Sequence, residues 1–277
     1  MANQVTLISE PTVILLGEMR LRRDGLNKLR DWVASYRPEC LPEEDGDGLG
    51  LFPHGLEETH GDVTRTLSDN EMLVELAGRN CYHSYGLKAG RKTNREYIAH
   101  SQSGTIPHRS IMYHAKMSFF LAGISRRVSH ELIRHYVGAD RDEEGSPSME
   151  STRYTLHPGH FVTPPRVLKS GPEAVEAFRH NMQVGYHHYL NYIRESEDSW
   201  IKDHGGLPKG MDRKRIYEAA AGQLPMQAAT SLVWTSNPVA LNKMFTERTD
   251  ETTDAEYQRF ALVWQAVCKS EGPNLFP

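Results

Sequence analysis

Cysteine is scarce in this chain: three residues, Cys40, Cys81 and Cys268, stand far apart among 277. That spacing makes neither a disulfide framework nor a zinc site, and it points to a reducing compartment. Long hydrophobic runs are lacking too. The longest, around TVILLGEM and MSFFLAGI, are far shorter than the ~20 apolar residues a membrane helix needs. The opening MANQVTLISE has no basic stretch followed by an apolar one, so no secretory signal is expected and a cytoplasmic protein is. Nor does either sign of charge prevail: the net charge is −4 and the pI is near 6.4. This excludes a surface that coats nucleic acid but leaves room for a local basic pocket around a phosphate. Internal repeats and low-complexity tracts are absent.

What remains is an ordinary globular composition, 38% apolar and 25% charged, long enough for one large domain or two small ones. Residues 4–18 read as a strand-like segment. From about Tyr36 to Asp62 the chain is rich in Gly, Pro and acids with no sustained period, which predicts a long surface loop. Ser68-x-x-Glu71 is a capping box opening a helix to about Cys81. MSFFLAGI (117–124) predicts a buried strand, Ser125 to Tyr136 a helix, and HFVTPP (160–165) a strand ended by prolines. Ser170-x-x-Glu173 reads as a second capping box. It precedes Val175, Phe178, Met182, Tyr186, Tyr189 and Ile193, whose steps of three and four predict an amphipathic helix with His180, His187 and His188 off its apolar stripe. Further helices are expected over 212–222, 226–234, 238–247 and 253–270. Helices outnumber strands, so the expected class is α+β.

The densest chemistry lies in SHELIRHYVGADRDEEGSPSMESTRY, Ser129 to Tyr154. HELIRH suggests a zinc helix, but His130 and His135 are five residues apart. At about 100° per residue they diverge by roughly 140° and cannot share one ion on a regular helix. DRDEEG suggests a calcium loop from Asp140, yet the position that should carry a bidentate Glu is Ser151. No metal site is therefore expected. An anion clamp survives: Arg134 and His135 end the helix, and Ser151, Thr152 and Arg153 follow the acidic loop. Guanidinium, hydroxyl and backbone amide are the groups that hold phosphates and carbonyl-rich rings. An ordinary surface feature would carry the same residues.

The wider pattern narrows this. The segments PHRSIMYHAKMSFFLAGISRRVSHELIRHY, SMESTRY, VWTSNPVALNKMFTER and GPNLF resemble, in order, the motifs of the flavin-dependent thymidylate synthases. The likeness covers roughly residues 65–165 and 215–277. It implies one domain over 1–277, with insertions at about 20–65 and 137–145, built on a central, mostly antiparallel sheet flanked by helices, with a helix-rich C-terminal half. It also implies a homotetramer with FAD at the subunit interfaces, and neither nucleic acid nor membrane as a partner. The chemistry implied is transfer of a one-carbon unit from 5,10-methylenetetrahydrofolate to C5 of a uracil nucleotide. NADPH is the reductant, and no cysteine attacks the ring.

The resemblance also implies roles for individual residues. Arg134 and Arg248 would be catalytic, with Arg248 holding the uracil as negative charge develops on its carbonyl. Glu131, Arg134, Ser151, Thr152, Arg153 and Arg248 would bind the nucleotide. His108, Ser110, Arg134, His135, Tyr136, Asn237 and Lys243 would bind the flavin. The chain departs from the pattern in several places. Tyr136 stands in place of an Arg, Glu131 of a Gln, and Tyr113 of a Glu. Met149 replaces a polar sugar contact, Ala221 an Arg that reaches the phosphate, and Lys243 an Asn. Arg213, Lys214 or Arg215 are candidates to restore the lost charge, and the loop over 137–145 is a candidate lid. The departures gather around sugar and phosphate, which points to a retained reaction on an altered nucleotide. That is compatible with the branch methylating UMP in nucleoside-antibiotic (polyoxin-type) pathways; a non-catalytic nucleotide- or flavin-binding homologue is the alternative.

Overall fold

The computed structural model describes residues 4–42, 50–90, 92–103, 105, 107–135 and 145–276. Two strands open the chain, β1 (Thr6–Ile8) and β2 (Thr12–Glu18), followed by helix α1 (Arg23–Tyr36) and the hairpin β3 (Glu57–His60) and β4 (Val63–Thr66). Helices α2 (Asp69–Tyr82), α3 (Asn94–Gln102) and α4 (Arg109–Met112) lead to the long strand β5 (Met117–Ser125) and helix α5 (Arg126–Leu132). Then come β6 (Gly145–Met149), β7 (His160–Val162), α6 (Pro165–Lys169) and the 33-residue α7 (Pro172–His204). Helix α8 (Gly210–Ala221), strand β8 (Ala229–Ser236), and helices α9 (Pro238–Arg248) and α10 (Ala255–Glu271) complete it. The class is α+β. Among the described residues no helix is long and apolar enough to cross a membrane.

The main sheet runs β2-β5-β8-β6, each pair antiparallel. Its inner face is set by alternation: Met117, Phe119 and Leu121 on β5 and Leu232 and Trp234 on β8 are all buried, as a two-residue period requires. Trp264 of α10 plugs that face edge-on, 5.4 Å from Phe119 and 5.9 Å from Phe245. The outer face is different. Ile14, Phe120 and Val233 stand in one row across three strands, and Ile14 is 48% exposed.

Several expectations change. Residues 229–236 form a central strand, not a helix, because Leu232, Val233, Trp234 and Thr235 pair with β5 on one side and β6 on the other. Long-range ladders override the local alanine content there. Residues 4–18 form two strands in different sheets, with β1 parallel to β7. Ser170 is no helix cap: its hydroxyl donates to the Arg166 carbonyl at 2.9 Å, and α7 starts from Gly171 at φ 98° with Pro172 in its first turn. The segment before Asp62 also carries structure, since α1 precedes it and β3 begins inside it. The Ser68 capping box does form, and Tyr186, Tyr189 and Ile193 are the buried residues of α7, while His180, His187 and His188 are exposed.

A buried polar network ties the N-terminal hairpin to the C-terminal tail. Arg65 reaches Glu71 at 2.8 Å and Glu58 at 3.2 Å. The Asn274 side-chain amide donates to Glu58 at 2.7 Å, and its backbone amide to Glu71 at 3.0 Å. Burial alone would raise the Glu58 carboxyl; the Asn274 and Arg95 hydrogen bonds hold it below its ordinary value.

A second interior, under α7, centres on His157. Its Nε2 meets the Ala229 carbonyl at 3.2 Å, and its Nδ1 accepts from the Gly159 amide at 3.2 Å. Both positions suit one neutral tautomer. Burial pushes this imidazole down to about 4, with the Ala229 carbonyl opposing and the Arg126 charge assisting. A lowered folded pKa means that the unfolded chain binds the extra proton first. The stabilisation is therefore complete above the ordinary value of 6.5 and lost as pH falls through about 4. Urea melts between pH 7.5 and 4 should show wild type losing on the order of 3 kcal/mol more than His157→Gln; parallel profiles would refute the assignment.

Candidate active site

The turn from β5 into α5 positions the first residues. Gly123 has φ 67°, and a Cβ there would lie 2.9 Å from the Glu10 carbonyl. This position needs glycine. It marks the bulge between Ala122 and Ile124, after which Ser125 caps α5 by accepting from the Val128 amide at 3.2 Å. The start of α10 meets the same point. Glu256 accepts from the Ser125 amide at 2.9 Å, and Asp254 caps α10 through the Glu256 and Tyr257 amides. Arg127 bridges the two helix starts, 2.7 Å from Asp254 and 3.0 Å from Glu256. Burial alone would raise the Asp254 carboxyl; the Arg127 hydrogen bond and the Tyr257 amide hold it below its ordinary value.

With α5 and α10 locked, three residues distant in sequence come together. Arg248, at the end of α9, donates from Nε to His135 Nε2 at 3.0 Å, across 113 residues. Its Nη1 lies 3.6 Å from Glu131, and its guanidinium sits 5.0 Å above the Tyr257 ring. The imidazole must be unprotonated at Nε2 to accept that bond, and its Nδ1 faces Glu247 at 3.9 Å. The Tyr257 hydroxyl is buried with no hydrogen-bond partner among the described residues, and burial pushes its pKa far up, the Arg248 charge only partly opposing. His130 is exposed and turned from this group. Arg134 is exposed and makes no ion pair among the described residues. Tyr136 and the inserted segment before Gly145 lie outside the described residues.

The second half of the clamp follows β6. Ser151 folds a tight turn: its carbonyl accepts from the Tyr154 and Thr155 amides at 3.2 Å, and its hydroxyl from the Arg153 amide at 3.3 Å. Arg126 fixes the turn's base through the Glu150 carbonyl at 3.1 Å. Thr152 is half-buried and Met149 exposed. Arg153 pairs with Glu218 of α8 at 2.5 Å, one helical turn before Ala221.

Of the expected flavin residues, Lys243 lies on another part of α9, in the wall of a cavity. That cavity, of 750 Å³, opens between α3, α4, α9 and the C-terminal tail, with Arg95, Arg109, Lys243 and Glu247 on its wall and Ile98, Met112 and Leu275 beneath. Cations over an apolar floor suit a ligand that carries both phosphates and a planar ring, so these residues fit a flavin nucleotide. His108 is the residue before α4 and lies 5.7 Å from the Tyr82 ring, and Ser110 is exposed on α4. Neither is in the cavity wall. Asn237 is fully buried and caps α9, its Oδ1 accepting from the Ala240 amide at 2.9 Å. Helix α9 thus joins the two places, Lys243 and Glu247 facing the cavity while Arg248 turns to His135. Sequence reasoning missed Arg127, Glu247, Tyr257 and Glu218. The four-residue step from Arg127 to Glu131 was a usable signal; Tyr257 offered none.

An antiparallel α+β fold carrying an Arg–His–carboxylate cluster beside a cationic cavity defines a protein class suited to anionic, ring-bearing ligands. The chain belongs to the Thy1 family, described as thymidylate synthase complementing protein, whose model matches residues 62–274. It is 32% identical over 206 residues to the flavin-dependent thymidylate synthase of Mycolicibacterium vanbaalenii, covering 74% of this chain and 77% of that protein. The Mycobacteroides abscessus flavin-dependent thymidylate synthase is 31% identical over the same span. Among solved structures, the fold is similar to thymidylate synthase X of Helicobacter pylori with FAD and dUMP. That match has a TM-score of 0.50 and 21% identity, and covers 74% and 92% of the two chains. It is also similar to the UMP/dUMP methylase PolB of Streptomyces cacaoi bound with 5-Br UMP, with a TM-score of 0.58, 15% identity, and coverage of 99% and 95%.

The helix clamp should dominate the stability of this region. Arg127→Met strands Glu256, which is 2% exposed, and should cost about 3 kcal/mol. Glu131→Gln removes only two partly exposed, long ion pairs, 3.6 Å to Arg248 and 3.8 Å to Arg127, and should cost under about 1 kcal/mol. Urea melts of the two variants decide it, and equal losses would count against the clamp.

Proposed function

We propose that this chain catalyses FAD-dependent reductive methylation at C5 of a uridine 5′-monophosphate. Methylenetetrahydrofolate is the carbon donor and NADPH the reductant. The observation that carries the reading is the convergence of Arg248 from α9 with Glu131 and His135 from α5 and its last turn on one half-buried spot beside the cavity. In this reading Arg248 holds the uracil and stabilises charge on its carbonyl while C5 becomes nucleophilic. His135 orients that guanidinium, and Arg134 contacts both nucleotide and flavin. Ser151, Thr152 and Arg153 hold the nucleotide at its phosphate end. His108, Ser110, Tyr136, Asn237 and Lys243 are assigned to the flavin, which when bound supplies the reducing equivalents.

No cysteine nucleophile enters the reading. Cys40 and Cys268 are buried, and burial pushes the Cys268 thiol up, away from the reactive thiolate. Exposed Cys81 bonds to the Ala77 carbonyl within α2, at 3.4 Å. We assign the chain to one domain acting as a homotetramer, with active sites at subunit interfaces. The apolar row of Ile14, Phe120 and Val233, exposed at Ile14 and Val233, supports self-association.

UMP is the preferred substrate in this reading, giving 5-methyl-UMP as a building block for a nucleoside antibiotic, with dUMP as the competing one. Met149 ends β6 at the edge of the nucleotide clamp, where a thioether replaces a polar contact to the sugar. Tritium release from 5-³H-labelled UMP and dUMP, each with FAD, NADPH and methylenetetrahydrofolate, tests this directly. Faster release from UMP is expected. Faster release from dUMP would overturn the sugar assignment, and no release from either would overturn the enzyme in favour of a non-catalytic homologue.

A further inference from the structure

The clamp's phosphate end carries a feature that neither composition nor family likeness assigns. On α8, Lys214, Glu218 and Ala221 follow steps of four and three and so share one helix face. The guanidinium of Arg153 points both Nε and a terminal nitrogen at a single Glu218 oxygen, the Nε at 2.5 Å. The Lys214 ammonium lies 3.9 Å from that same oxygen and 4.8 Å above the Tyr154 ring. Two cations on separate elements thus converge on one oxygen at the mouth of the Ser151 turn.

Stability does not account for the arrangement. The Arg153 side chain is 55% exposed and that of Glu218 34%, and exposed pairs of this kind contribute little to folding. Lys214 differs: its side chain is only 15% exposed, held down by the Tyr154 ring, so its ammonium is placed in advance. A guanidinium fork closing on one oxygen matches a phosphate oxygen as well as a carboxylate one. Ala221, on the same face, leaves no side chain of its own to reach an anion.

We propose that Lys214 and Arg153 together hold the 5′-phosphate of the substrate nucleotide, and that Glu218 occupies the anion position until the phosphate displaces it. The assignment rests on the nucleotide reading above. It makes Lys214 the replacement for the arginine missing at Ala221. It also makes Glu218 an internal competitor, so that affinity reflects the exchange of one anion for another rather than the filling of an empty cationic site.

Calorimetric titration of the full chain with UMP, dUMP and uridine tests the assignment. Lys214→Met should raise the Kd for UMP about tenfold, the loss of one charge-assisted contact, and leave uridine unchanged. Glu218→Gln should lower the Kd for UMP several-fold, again without effect on uridine. Lys209→Met, at the exposed residue that precedes the same helix, should change neither. Lys214→Met weakening uridine and UMP alike, or leaving UMP binding at the wild-type level, would overturn the proposal, as would weaker UMP binding by Glu218→Gln. Wild-type protein that binds neither UMP nor dUMP would instead bring down the nucleotide reading itself, and this assignment with it.

Discussion

The interaction on which the candidate site depends is the bridge from Arg127 to Asp254 and Glu256. It joins the first turn of α5 to the first turn of α10, and Glu256 also takes the Ser125 amide that α5 leaves unpaired. Everything chemically interesting lies one or two turns beyond that bridge. Glu131 and His135 extend from α5, Tyr257 from α10, and Arg248 enters from α9, which packs on α10 through Phe245 and Trp264. A guanidinium can donate to an imidazole, face a carboxylate and lie over a ring at once only if three helices hold their places to within a fraction of an ångström. The locked helix starts supply that constraint.

The cavity beside the cluster depends on a different lock. Its C-terminal wall, Asn274 and Leu275, is held by Glu58 and Glu71 through Asn274, and Glu58 also takes the amide of Arg95, a lining residue at the start of α3, at 2.9 Å. Glu58 belongs to β3, before the residues that match the family model. The N-terminal addition is therefore no loose decoration. It fastens two walls of the cavity to each other, and a change in its hairpin is transmitted to whatever the cavity holds.

Legibility in the sequence followed the range of the forces involved. The Ser68 box, the buried strand of β5 and the apolar stripe of α7 are local patterns with a fixed period, and they read directly. Strand β8 did not, because its strand character comes from lying between β5 and β6, partners about 110 and 85 residues away by the register of the ladders. The Ser170 box had the right letters, but two prolines upstream start a short helix that ends on Ser170 and leaves Gly171 to begin α7. At the site, Glu131, His135 and Arg248 were legible as motif residues. Glu247, Tyr257 and Glu218 were not, since each matters only through a partner on another element, and Lys214 was legible only as one of three candidate cations.

Burial of the carboxylate sorts the ion pairs of this molecule into two kinds. Glu58, Glu71 and Glu75 have no exposed side-chain surface, and Glu256 has 2%. Each is satisfied by cations and amides of the fold itself, and removing a partner would strand a buried charge. Glu131, Glu218 and Glu247 are 31, 34 and 47% exposed, and each faces a cation or imidazole of the candidate site. Water already competes for those three, so giving up their partners costs the fold little. A chain with net charge −4 can in this way keep strongly cationic binding groups in fixed positions without a ligand. The acids that neutralise them are solvated enough to yield, while the acids that hold the fold are not.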